Sequence, residues 1–214
     1  ADAGFPDVAK DFKGATVGVP VLASEIENVT RALAKDAGLD PDKDLKYVAI
    51  GAGAQAIGAF EADQVDIFVA TEPGPTVLLD RTKPAKSMID LRDPDDRPES
   101  LQGWTSVVYQ ANKQNADDNP TKFEKFAAGI AAANEFITSD REGAIAAYAN
   151  SLDMDEETRG KIYDANVGSI TSTVDCANFP KMADFVIGAG LLPEDKRQDC
   201  STFMWSGSAK YQTN

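Results

Sequence analysis

The sequence predicts an α/β fold, with a lobe built on a mostly parallel sheet followed by a mostly helical half. Two observations carry this. Apolar runs at Ala15–Val19, Leu45–Ile50 and Val65–Ala70 each end at glycine or proline and each lead into a helical pattern. Strand, loop and helix repeated in that order build a parallel sheet with helices on its faces. Beyond Tyr109, by contrast, apolar residues recur at helical spacing only, and no further strand stands out.

The elements follow in order. Ala15–Val19 reads as a strand, and Gly18-Val19-Pro20 as its exit. Ser24 can cap the next helix, with Glu27 three residues later as a capping box requires. Ile26, Val29, Leu33 and Ala37 then form its apolar stripe, and Gly38 ends it. Leu45–Ile50 is the second strand, followed by Gly51-Ala52-Gly53-Ala54-Gln55 and a small-residue helix carrying Ile57 and Phe60. Val65–Ala70 is the third, followed by Thr71-Glu72-Pro73-Gly74-Pro75. Ala85–Leu91 and Thr105–Tyr109 are further strand candidates, and the charged stretch Arg92–Gln102 between them reads as an exposed loop. The helical half carries a stripe of Phe123, Phe126, Ile130, Ala133 and Ile137. Helices follow around Ile145–Leu152, Asp155–Ala165 and Phe179–Val186. The expected division is residues 13–103 for the α/β lobe and 104–214 for the helical half. Amphipathic helices of this kind need a surface to pack on.

Composition narrows the function. The 214 residues are enough for a hydrophobic core. No apolar run approaches the roughly 20 residues that span a bilayer. With 35 acids against 21 bases, the net charge of -14 argues against nucleic acid and anionic membranes as partners. The chain has no histidine, which removes a serine–histidine triad, a histidine base and histidine metal ligands. The Asp93–Asp96 stretch lacks the glycine and closing glutamate of a calcium loop and reads as solvated. No cofactor is implied. Cys176 and Cys200 are too far apart for a CxxC motif. A disulfide between them would close a loop of about 25 residues, worth about 3.5 kcal/mol in the chain-entropy model, and two buried thiols are the alternative.

In an open parallel sheet, ligands bind beyond the carboxyl ends of the strands. That edge holds the candidate site. The Ser24 hydroxyl and the first-turn amides of Glu25 and Ile26 can hold an oxygen of a small anion, or Ser24 can be a plain cap. Gly53 permits close backbone approach, and Gln55 offers an amide. Glu72, at the third exit, can accept from a ligand N–H or tether the following helix. Trp104 and Tyr109 can supply a flat apolar wall, or sit in a core.

Phe12-Lys13-Gly14-Ala15-Thr16-Val17-Gly18-Val19-Pro20 resembles the opening of the second lobe in nitrate/sulfonate/taurine-type periplasmic binding proteins of ABC importers. Ala37–Pro41 with Asp44–Val48, the stretch Ala54–Ile67, the Glu72-Pro73 pair and the closing Asp175–Leu192 are similar to successive segments of the same family. Ser24 stands at the family's Ser/Thr position. Val21 and Leu22 replace its frequent Gly-Ser, and Thr71 its frequent Trp, which removes aromatic stacking there.

The resemblance implies a type II binding-protein fold of two α/β lobes with the ligand between them. Relatives carry a longer stretch before this opening segment. Residues 104–214 are therefore expected to be the returning part of a first lobe that is incomplete here, with dimerisation through the exposed face as a possible outcome. The implied function is non-catalytic capture of a small solute (a sulfonate, nitrate or other small organic or oxyanionic ligand) for delivery to a membrane permease. The implied location is periplasmic or extracytoplasmic. Two alternatives stand beside it. One is a protein-interaction fragment that pairs through its helical face. The other is an enzyme related to thiamine-pyrimidine synthases, whose histidine and clustered cysteines this chain does not have.

Overall fold

A computed structural model describes residues 6–80, 85–93, 95–102 and 107–213. The chain divides into two compact units, Ala1–Ser100 and Leu101–Asn214. The fold is mixed α/β, with a parallel sheet in the first unit and mostly helices in the second.

The first unit contains α1 (Asp7–Lys10), β1 (Thr16–Val19), α2 (Glu25–Asp36), β2 (Lys46–Ala49), α3 (Ala54–Glu61), β3 (Ile67–Phe68) and α4 (Gly74–Leu79). The three strands are parallel in the order β2-β1-β3. Thr16 pairs with Lys46 and Val19 with Ala49 on one side, and Val17 with Ile67 on the other. Both sheet faces are covered, and side-chain alternation decides what each receives. Val17, Val19, Tyr47 and Ile67 point to one face, where Ala34 and Ala37, at the end of α2, join Ala9 and Phe12 in the larger core. Val48 and Phe68 point to the other, where α3 adds Ala56 and Ala59 beside Ile50 and Val65.

Gly18 lies on that second face for a steric reason. A Cβ there would sit 2.4 Å from Ile50 Cδ1 and 3.2 Å from Phe68 Cβ, so only glycine lets these side chains meet over the central strand.

The second unit contains α5 (Lys113–Asp118), α6 (Pro120–Ser139), α7 (Arg141–Tyr148), α8 (Glu156–Asn166), β4 (Val174–Asp175), α9 (Phe179–Gly188), α10 (Cys200–Phe203) and β5 (Gln212–Thr213). One buried cluster holds Ala144, Ile145 and Tyr163, with the Tyr163 hydroxyl donating to the Ile137 carbonyl at 2.8 Å. Asp140 and Asp155 cap α7 and α8. Cys176 and Cys200 form a disulfide that ties the end of the β4 segment to α10.

Three strand expectations are corrected. Residues 85–91 carry no ladder; Met88 and Ile89 instead lay their side chains on the larger core of the sheet unit. Of the strand expected at Thr105–Tyr109, residues 105 and 106 lie outside the described residues, while residues 107–109 form no strand and Val107 is 85% exposed. A β-branched run without a neighbour to receive its hydrogen bonds gains nothing from being extended. Conversely, β4 and β5 pair in parallel far beyond Tyr109. They are two residues each, too short for periodicity to register.

Candidate functional site

Because all three strands run parallel, their exits lie along one edge of the sheet. The chain steps from β1 to β2 on one side, then crosses to β3 on the other. The order reverses between β1 and β3, and in such sheets this reversal opens a crevice at the carboxyl ends of the two strands. The exit of β1 brings Pro20–Ser24 to that point, and the exit of β3 brings Val69–Gly74. The β2 exit, with Gly53 and Gln55, lies on the same edge beyond β1.

At the β1 exit, Val21 and Leu22 are exposed, and Ala23 adopts φ 58°, in the left-handed region that costs a non-glycine residue about 1 kcal/mol. The turn is held by Glu27. Its buried carboxylate accepts the Ala23 N–H at 2.7 Å and pairs with Arg31 Nε at 2.7 Å. The Ser24 hydroxyl accepts the Glu27 N–H at 3.4 Å, so Ser24 does cap α2. Glu27 therefore reaches back one residue further than an ordinary capping box, to Ala23. Glu25 is exposed at the same helix end.

At the β2 exit, Gly51 has φ 71°, and a Cβ there would sit 2.3 Å from Gln55 Oε1. The Gln55 side chain thus folds back over the Gly51 backbone, a position that only glycine leaves open. Gly53 precedes α3 without a side-chain cap.

At the β3 exit, the Glu72–Pro73 peptide is cis. The Glu72 side chain is 8% exposed. One carboxylate oxygen accepts the Thr76 N–H at 3.2 Å, and the other pairs with Arg92 Nη1 at 2.9 Å. Arg92 also grips Asp90, through Nε at 2.8 Å and Nη2 at 2.7 Å. The hydrogen bonds from Arg92 hold the Asp90 carboxyl below the usual carboxylate range. In turn the guanidinium is pushed above its ordinary value, chiefly by Asp90 and then by Glu72.

A groove of about 410 Å³ adjoins the rim through Leu22 and Ala23 and runs between α2 and β2 on the side of β1 opposite β3. Arg31 lies 4.4 Å above the Tyr47 ring there and donates to Asp42 at 2.6 Å. The Tyr47 hydroxyl is buried with no hydrogen-bond partner, and burial pushes its pKa up to about 12. Glu27, Arg31 and Asp42 in this groove already satisfy one another. The strand-exit edge marked by the change of strand order, not this groove, is therefore the candidate site.

Topology thus gathers Ser24, Glu25, Gly53, Gln55 and Glu72 on one edge. Tyr109 belongs to the second unit, 70% exposed, with its ring edge-on to Phe126 at 5.3 Å. Trp104 lies outside the described residues. Sequence reading missed Asp90 and Arg92. Arg92 meets Glu72 across 20 residues of chain, and no local pattern announces such a pairing.

The NMT1/THI5 like family model matches residues 2–144, more than half of the chain. The chain belongs to this family. Its members are generally solute-binding proteins. The fold is similar to that of a solved protein of Bordetella bronchiseptica RB50, with a TM-score of 0.68 at 19% sequence identity. That likeness covers 96% of this chain and 63% of the Bordetella one, so the NMT1/THI5-like chain spans less than two thirds of its structural neighbour. No curated protein matches it in sequence.

Proposed function

We propose that this NMT1/THI5-like chain captures a small solute at the strand-exit rim, without chemical change, for delivery to an ABC-type permease. The observation that carries the reading is the reversal of strand order at β1 and β3, which sets the Ser24 and Glu72 loops on one edge in a solute-binding family. Ser24, Glu25, Gly53, Gln55 and Glu72 are the proposed contacts, all in the first unit. The disulfide and the family support an extracytoplasmic location.

The test is a thermal-shift screen of sulfonates, nitrate, amines and heterocycles, followed by calorimetry of the hits. Capture predicts saturable binding that Gly53→Val weakens, since a side chain would block close approach. Failure of every solute to shift the melt removes the reading.

One observation favours a second reading, pairing through the helical face. The 20 residues of α6 include none that is buried, and Phe126 and Phe136 stand exposed on it. Aromatic side chains left exposed on a long helix suit an interaction surface. A concentration-independent monomer mass by light scattering would exclude self-association as its use.

A further inference from the structure

We propose that α6 pairs with the α6 of a second copy of this chain, antiparallel about a two-fold axis, along a stripe of Lys122, Phe126, Gly129, Ala133, Phe136 and Asp140. This pairing rests on the helical-face reading above, independently of solute capture, and gives that face its partner and register.

The two sides of α6 differ. Its own unit takes one of them. Phe123 meets Trp205 edge-on at 6.1 Å, Asn134 donates to the Thr171 carbonyl at 3.0 Å, and Ile137 packs on the cluster of Ala144, Ile145 and Tyr163. These residues, with Ala127 and Ile130, are partly buried. The six residues of the stripe are exposed. At about 100° per residue they share an arc of about 80°, centred about 100° round the helix from the partly buried side. Phe126 and Phe136 are 50% and 42% exposed there. A Cβ at Gly129 would meet nothing within 4 Å, so no crowding inside the chain accounts for a mid-helix glycine, which costs about 1 kcal/mol against alanine. Asp140 directly follows α6 and caps α7 through Oδ1.

The order along the stripe says what covers it. Successive members are four, three, four, three and four residues apart, the spacing of a coiled-coil seam. Read from either end, the stripe is a charged residue, phenylalanine, two small residues, phenylalanine and a charged residue, and the end charges are opposite. A two-fold interface needs a surface that complements itself, and this one does. Laid antiparallel, Lys122 faces the partner's Asp140, Phe126 the partner's Phe136 and Gly129 the partner's Ala133, each twice by symmetry. The small residues let the two axes approach closely, and an aromatic pair closes the contact on either side. A parallel pair would set Lys122 on Lys122 and Asp140 on Asp140. The net charge of -14 opposes association at long range, but physiological salt screens charges more than about 8 Å apart. One helix from each copy makes a small interface, so the pairing is weak and reversible.

Sedimentation of the full chain over a concentration series, at about 0.15 M salt, tests this. A monomer–dimer equilibrium is expected. Phe126→Ala and Phe136→Ala should each weaken it roughly tenfold or more, because symmetry removes each contact twice. Lys122→Asp should also weaken it. Leu79→Ala, as exposed as Phe126 but in the first unit, should leave it unchanged. Cross-linking reads the register. Under mild oxidation, Gly129→Cys chains mixed with Ala133→Cys chains should link. Neither variant should link to itself, since like positions are offset by about 6 Å along the axis on top of the gap between helices. A monomer at every concentration overturns the proposal and leaves the helical face only for a different partner. A dimer that Phe126→Ala leaves intact overturns it too. If a dimer forms but the mixture fails to link, or one variant links to itself, self-pairing stands and the antiparallel register falls. None of these outcomes touches solute capture.

Discussion

The two units of this chain are stabilised differently. In the first, a central strand sits between two apolar layers, and Val17 and Val19 are fully buried. In the second, no residue of the longest helix is fully buried, and order draws on capping aspartates, small buried clusters such as that of Ala144, Ile145 and Tyr163, and a disulfide. In its Arg141–Asp164 ion pair both side chains are more than half exposed, and such a pair contributes at most about 1 kcal/mol. A sheet lets short helices bury one face each. Helices without a sheet must find that surface elsewhere or be held covalently.

This contrast can be broken by experiment. The largest effect is expected in the sheet unit. Phe12→Ala empties a buried site beneath β1 and should cost about 4 kcal/mol, read as a shift of that unit's denaturant midpoint. Next, replacing Cys176 and Cys200 with serine should destabilise the helical unit by about 3.5 kcal/mol and leave the sheet unit unmoved. If both units shift together under either change, they are not independent. Tyr47→Phe should stabilise the sheet unit by about 1 kcal/mol, because it removes a buried hydroxyl that has no partner.

The same substitution should flatten the alkaline limb of stability. The folded pKa of Tyr47 is raised, so its contribution is full below the ordinary tyrosine value and lost as pH rises through about 12. At the acid end the sign is opposite. Asp90 and Asp164 are held low by arginines and Asp155 by the Thr158 amide. Their contribution is full above about pH 4 and lost as pH falls through the lower folded values, which melts between pH 6 and 2 would follow. The smallest effect belongs to Phe126→Ala, expected within about 0.5 kcal/mol for the isolated chain. A larger loss would mean that something covers α6.

How much was legible beforehand follows from the range of the interactions. The three strands of the sheet and their helices were readable because Val17, Val19 and Leu33 repeat at the spacing of their element. The cap at Ser24 was readable because Glu27 is three residues away. The β3 exit was only half visible. Glu72 stood out beside its proline, but Arg92, which fixes its carboxylate, is set by a fold-level contact. Strand propensity misled over the described part of Thr105–Tyr109, where no strand among the described residues pairs with it.

Gly18 carries a practical consequence for redesign. Ile50, the first residue after β2, settles over the hydrogen that stands in place of a side chain at Gly18. The mouth of the β2 loop is therefore keyed to the middle of a different strand. Anyone grafting these loops onto a new scaffold, or diversifying them in a library, would have to carry Gly18, Ile50 and Phe68 along as a set.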